Sequence, residues 1–158
     1  MIKILFVCHG NICRSPMAEF IMKKLAKEGM HDIYVESAAT SLEEIDNPIY
    51  PPVAKMLKEK CIDGFDKKRA RRVTKDDYDK FDLLLAMDEE NINGLKRIIP
   101  NDPDNKIHKI LEYVGAGDDI EDPWYTRDFE KVYNLLNISC TMLLNKIVIE
   151  RIKKKSNK

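Results

Sequence analysis

Eight residues near the amino terminus, Cys8-His9-Gly10-Asn11-Ile12-Cys13-Arg14-Ser15, bring a thiol, an arginine and a hydroxyl together at the spacing C-x5-R-S. Each has a task if the segment closes around a phosphate. A phosphate needs donors from several directions, and a loop curling from a strand into a helix points successive backbone N–H groups inward as an anion nest. The helix start adds the positive end of its dipole. Gly10 allows a backbone conformation that most residues resist. Arg14 offers a planar fork for two phosphate oxygens. The same field favours the thiolate of Cys8, which can attack phosphorus and form a phosphocysteine. Ser15 can donate a hydrogen bond to that sulfur and ease its later departure.

A phenolate or alkoxide leaves poorly unless it is protonated. The segment Asp122-Pro123-Trp124-Tyr125 supplies a carboxyl for that step, which can then act as base toward water. Trp124 and Tyr125 can wall a phenyl ring. Taken singly, these features have plainer explanations: a cysteine ending a buried strand is usually a small core residue, and Asp-Pro is an ordinary turn. C-x5-R-S after an apolar strand and before a Ser-Pro helix start is what favours chemistry. The cysteines, at 8, 13, 61 and 140, and the histidines, at 9, 31 and 108, have no spacing that suggests a metal site.

The elements that position these residues read as alternating strands and helices. Ile2 to Val7 suits a buried parallel strand. Ser15 and Pro16 read as N-cap and first residue of a helix that Gly29 stops. Ile33 to Ser37 reads as a second strand, 41–52 as a surface loop, and Val53 to Lys60 as a helix entered through Pro51 and Pro52. Thr74 is expected to cap a short helix ending near Lys80. Asp82 to Met87 reads as a third strand, Asp88 to Ile99 as a helix stopped by Pro100, and Lys106 to Leu111 as a weaker fourth strand. A long loop, 112–127, precedes a final helix from Asp128 past Ile149. The alternation predicts an α/β three-layer sandwich, an open parallel sheet flanked by helices. In such sheets ligands bind at the carboxyl ends of the strands, where Cys8 falls.

Length and composition bound the rest. A chain of 158 residues suits one domain, expected over 1–154 with a disordered tail at 155–158. Its 27 basic and 27 acidic side chains cancel, so no global charge argues for nucleic acid or membrane as a partner. The basic run 67–72 reads as a solvated surface stretch. No uninterrupted apolar run approaches the roughly 18 residues of a membrane helix. A cytoplasmic address with reduced thiols follows.

The segment FVCHGNICRSPMAE resembles the low-molecular-weight protein tyrosine phosphatases. The resemblance continues through Ser37-Ala38-Ala39-Thr40-Ser41, Arg71-Arg72-Val73-Thr74, Ala86-Met87-Asp88 and Asp122-Pro123, in family order and over nearly the whole chain. It implies a four-stranded parallel sheet and no metal or organic cofactor. It implies Cys8 as nucleophile, Arg14 as phosphate clamp and Asp122 as general acid. Asn11 is expected to brace the phosphate loop through Ser15 and Ser37. Cys13 matches a second loop cysteine able to form a reversible disulfide with the nucleophile. The implied partners are phosphotyrosine-containing proteins, with the chain a monomer or weak homodimer.

Two positions depart from the family pattern. Glu43 stands where many members place an aromatic residue lining the substrate slot, with Tyr50 a candidate to compensate. Lys68 stands where many have a histidine supporting the loop network. Among alternatives, a protein-arginine phosphatase of this fold carries Thr where Ile12 stands here, and Ile12 presents hydrocarbon better suited to an aromatic ring. A catalytically silent phosphotyrosine-binding module would be expected to lack the nucleophile, clamp or acid; Cys8, Arg14 and Asp122 are all present. Cys61 and Cys140, 79 positions apart, are too distant in sequence for the close cysteine pair of a thioredoxin-coupled arsenate reductase.

Overall fold

The computed structural model describes residues 1–157. Four parallel strands, β1 (Ile2–Cys8), β2 (Ile33–Ala39), β3 (Leu83–Ala86) and β4 (Ile107–Lys109), form one sheet in the order β2-β1-β3-β4. The helices are α1 (Arg14–Glu28), α2 (Pro51–Glu59), α3 (Asp76–Lys80), α4 (Glu89–Ile98), α5 (Pro123–Thr126) and α6 (Phe129–Ser156), with a 3-10 turn at Ile110–Val114.

β1 is hydrogen-bonded on both sides, to β2 and β3. Its continuous apolar run follows from that position, because both of its faces are covered. Ile4, Phe6 and Cys8 enter one core with Met17 and Ile21 of α1 and Leu136 and Leu143 of α6. Leu5 and Val7 enter the other with Leu95 and Ile98 of α4. The period-2 alternation of a strand thus feeds both cores from one segment. Chain order reverses between β1 and β3, so the crevice at their carboxyl ends is the topological switch point where this architecture binds ligands. Cys8 ends β1 there, and Asp88 lies two residues beyond β3.

Several elements differ from the sequence expectation. β4 stops at Lys109, and Ile110 and Leu111 belong to the 3-10 turn, where both are buried. Within the expected 112–127 loop, Pro123–Thr126 forms a helical turn with Asp122 as its N-cap. Thr74 does not cap α3 with its side chain; instead the Asp77 carboxylate accepts from the Thr74 amide at 2.8 Å. α6 continues through Ser156 and so includes two residues of the expected tail. No glycine or proline interrupts 150–157, and the lysines there suit the negative end of the helix dipole. Lys158 lies outside the described residues.

α6 is also long and apolar enough to cross a membrane by length and composition, with mean hydropathy 1.4 over its best 18-residue window. A search for uninterrupted apolar residues passes over it, because Asn, Ser, Thr and Lys are interspersed. Its Val132, Leu136, Cys140, Leu143 and Ile147 are buried in the core shared with α1.

Candidate active site

The loop between β1 and α1 turns through Asn11, which takes a left-handed conformation with φ 61°. Gly10 was the residue expected to carry the unusual backbone, but Asn is tolerated in this region because its short polar side chain bonds locally. Gly10 matters for space instead: a Cβ there would lie 3.3 Å from Cγ of Glu44. Ser15, expected as the helix N-cap, lies inside the first turn, and Cys13 takes the cap position without a side-chain bond. The Ser15 hydroxyl is occupied elsewhere.

That hydroxyl belongs to a buried chain with fixed proton directions. Oδ1 of Asn11 accepts from the Arg71 amide at 3.2 Å, so Nδ2 faces the two serines. Nδ2 donates to Ser15 Oγ at 2.7 Å and to Ser37 Oγ at 2.9 Å. Ser37 Oγ donates to Glu19 Oε1 at 2.5 Å. Ser15 Oγ, already accepting from Asn11, turns its own proton toward Cys8 Sγ, 2.9 Å away. The Asn11 amide adds a second donor to the same sulfur at 3.3 Å. Lys68 closes the far end, with Nζ 3.4 Å from Glu19 and donating to the Ser37 carbonyl at 2.8 Å. Burial holds the Lys68 pKa below the usual lysine range despite the pull of Glu19. A lysine therefore fills the place where a family histidine was expected, and the network remains complete.

Arg14 is 3% exposed. Its Nη1 donates to Asp88 Oδ2 at 2.7 Å and to the Ile120 carbonyl at 2.9 Å. Its Nη2 lies 3.6 Å from Asp122 Oδ2. Burial works against the guanidinium charge, but Cys8, Asp88 and Asp122 outweigh it and raise the pKa. One corner of the fork is thus anchored, and Nε and Nη2 make no hydrogen bond among the described residues. Asp88 was missed as a site residue in the sequence, although its place just beyond a central strand could have flagged it. Its other oxygen caps α4 by accepting from the Asn91 amide at 2.8 Å, so one carboxylate ties the helix start to the arginine. Glu19 was also missed; it lies one helical turn beyond Ser15, the i, i+4 spacing that places both on one face.

Cys8, His9, Gly10, Asn11, Ile12, Cys13 and Arg14 line a cavity of about 150 Å³ together with Asp122, Trp124, Tyr125, Glu43 and Glu44. Ser15 and Ser37 lie behind it. Burial, then the charges of Cys8 and Asp122, push the Cys13 thiol well above the usual range, so it is protonated at neutral pH. All four cysteines are free thiols. Trp124 and Tyr125 are exposed at the mouth. Tyr50 does not line the cavity. Its ring packs against Trp124 with centroids 4.8 Å apart, and its hydroxyl accepts from Arg127 at 2.9 Å. It buttresses the aromatic wall and leaves the Glu43 position uncompensated. Among the described residues no group of three or more His, Cys, Asp or Glu is arranged to hold a metal ion.

Comparison with known proteins agrees with this geometry. The family model for low molecular weight phosphotyrosine protein phosphatase matches residues 3–158. The low molecular weight protein-tyrosine-phosphatase YfkJ of Bacillus subtilis is 41% identical over 155 residues, covering 96% of this chain and 99% of that one. PtpA of Staphylococcus saprophyticus is 39% identical over 94% of this chain and 95% of its own. The crystal structure of YfkJ superposes with a TM-score of 0.88 at 42% identity over 95% of this chain and 96% of that one. The low molecular weight protein tyrosine phosphatase SP-PTP of Streptococcus pyogenes gives a TM-score of 0.83 at 39% identity, over 92% of this chain and 93% of that one. A match of this extent, on a chain that presents the thiol, the arginine and the aspartate in one cavity, places it in the low molecular weight protein-tyrosine phosphatase family.

Proposed function

We propose that this chain hydrolyses protein phosphotyrosine through a phosphocysteine intermediate on Cys8. The observation that carries the reading is the convergence of Cys8, Arg14 and Asp122 on one cavity with an aromatic wall. The Cys8 thiolate attacks phosphorus as the bond to the phenolic oxygen breaks, and Asp122 gives its proton to the departing phenolate. Arg14 and the loop amides hold the equatorial oxygens, whose charge is spread most widely in the transition state. Water then attacks the phosphocysteine and passes a proton to Asp122. The sulfur leaves as thiolate, stabilised by the Ser15 hydroxyl and the Asn11 amide. Ser37, Glu19 and Lys68 act only through Asn11 and Ser15, by fixing which way the protons point.

Ile12 and Trp124 offer hydrocarbon and an aromatic face to the slot, which suits a phenyl ring better than a guanidinium. Cys13 supports a protective role beside this chemistry. If a peroxide oxidises the Cys8 thiolate to a sulfenic acid, the Cys13 thiol can attack that sulfur, its own proton leaving with the hydroxyl as water, to give a reducible disulfide. Cytoplasmic residence, action on phosphoproteins rather than nucleic acid or membranes, and a monomer or weak homodimer belong to the same reading.

The test is phosphate release from a phosphotyrosine peptide and a phosphoarginine peptide, side by side at neutral pH without added metal, with Cys8→Ser as control. Release from phosphotyrosine, lost in Cys8→Ser, is expected. Preference for phosphoarginine would overturn the substrate while keeping the mechanism. Inactivity on both would favour a silent binding module.

A further inference from the structure

The cavity has a polar side that the phosphotyrosine chemistry does not use. Glu43 and Glu44 line it together with Trp124 and Tyr125. Glu43 Oε2 sits 2.9 Å from His9 Nε2, with both side chains more than half exposed. Glu44 meets only a neutral partner, the Asn47 amide at 2.6 Å, and no cation within ion-pair distance among the described residues.

The backbone that carries these carboxylates is held in place. The Ser41 amide and hydroxyl both donate to the His9 carbonyl, at 3.1 and 2.9 Å. The Thr40 amide donates to the Cys8 carbonyl at 3.0 Å, and the Tyr50 amide to the Ile12 carbonyl at 2.9 Å. In the middle of the segment, the Asp46 amide donates to the Ala70 carbonyl at 2.9 Å. The 40–50 segment is therefore stapled to the phosphate loop at both ends, so the backbone carrying Glu43 and Glu44 is anchored beside the mouth before any substrate arrives.

Nearby cations do not cancel that charge. Arg127 is drawn to the Tyr50 hydroxyl and lies over the Tyr50 and Phe129 rings. Lys109 is paired with Glu89 and Asp119, and Lys131 with Glu121. Arg14 is buried and held by Asp88. The exposed Lys67, Arg69 and Arg72 do not line the cavity. A substrate with its phosphate in the loop thus places the residues beside its phosphotyrosine next to two carboxylates.

We propose that Glu43 and Glu44 select among phosphotyrosine sites, favouring those with a lysine or arginine within one or two residues and disfavouring those in acidic stretches. The proposal rests on the phosphotyrosine reading above. Exposed charge pairs contribute up to about fivefold each in an equilibrium and less in salt, so the preference of two together is moderate and screenable.

The test compares kcat/KM for three phosphotyrosine peptides of one length, with arginine, neutral or glutamate residues on either side. The wild type is expected to prefer the basic over the acidic peptide by about tenfold at low salt, with the neutral one between. The ratio should contract in Glu43→Gln/Glu44→Gln and should also contract for the wild type at about 0.5 M salt. The salt series stands if the double variant folds poorly. Turnover of the neutral peptide with a basic-to-acidic ratio of one or less would overturn this selection alone. So would a ratio that neither the variant nor salt changes. No turnover of any peptide would overturn it together with the phosphotyrosine reading.

Discussion

Replacing Asn11 separates the two things that residue does. Its buried side chain makes three hydrogen bonds, to Ser15, Ser37 and the Arg71 amide. At about 1 kcal/mol net for each bond, Asn11→Ala loses roughly 3 kcal/mol. Alanine at φ 61° adds about 1 kcal/mol of left-handed backbone strain. Asn11→Gly loses the same bonds without that strain, so it should be the more stable of the two by about 1 kcal/mol. Both should stay folded against a typical total of about 5–15 kcal/mol. Urea titration reads the loss as a lower midpoint at unchanged slope. Turnover should fall in both variants, and by similar factors, because both free the Ser15 hydroxyl to turn away from Cys8. If Asn11→Gly matched the wild type in stability and turnover, the bracing chain would contribute nothing and the reasoning would fail.

Three further outcomes follow from other parts of the molecule. Asp88→Asn keeps the shape but removes the charge that anchors Arg14, and should lower kcat on aryl phosphates by about tenfold or more; an unchanged kcat would mean that the arginine needs no anchor. Burial opposes ionisation of Asp102, but the Tyr78 hydroxyl and the Lys106 and Ile107 amides outweigh it and hold its pKa below the ordinary 3.8. Its contribution to stability is therefore complete above pH 3.8 and is lost as pH falls through the lower folded value; urea midpoints of Asp102→Asn should depend less on pH in that window than those of the wild type. Cys61 is exposed, whereas Cys140 is fully buried and burial pushes its thiol far up; with Cys8 protected by phosphate, iodoacetamide should modify Cys61 in the folded protein and Cys140 only on unfolding.

The strands and helices around the site were legible because their signals are local. The apolar run at Ile2 to Val7 marks a strand covered on both faces, and the C-x5-R segment after it lines the cavity. Asp122 was legible through Asp-Pro and the family pattern, and it lies in the same cavity as Cys8 and Arg14. What stayed hidden depends on contacts distant in sequence. Asp88 reaches Arg14 across 74 positions and Arg71 reaches Asn11 across 60, and no periodicity records such pairs. Gly10 is the loop's most permissive residue by type, yet the left-handed position falls to Asn11, whose side-chain bonds hold it there. Ser15 suits a cap by its type and its place before Pro16; its hydroxyl instead faces the Cys8 sulfur at the end of β1. The neighbourhood of Tyr50 in sequence makes it a candidate slot residue, but Arg127 and Trp124 draw it behind the wall.

The central claim is that phosphate passes through Cys8 with Asp122 moving the proton. In Asp122→Asn, 4-nitrophenyl phosphate is the informative substrate, because its leaving group needs little protonation while hydrolysis of the intermediate still lacks its base. Rapid mixing should give a burst of 4-nitrophenolate equal to the enzyme present, and mass analysis of acid-quenched protein should find phosphate on the peptide containing Cys8. Phosphate on another residue, or steady turnover with no burst and no phosphorylated enzyme, would contradict the account.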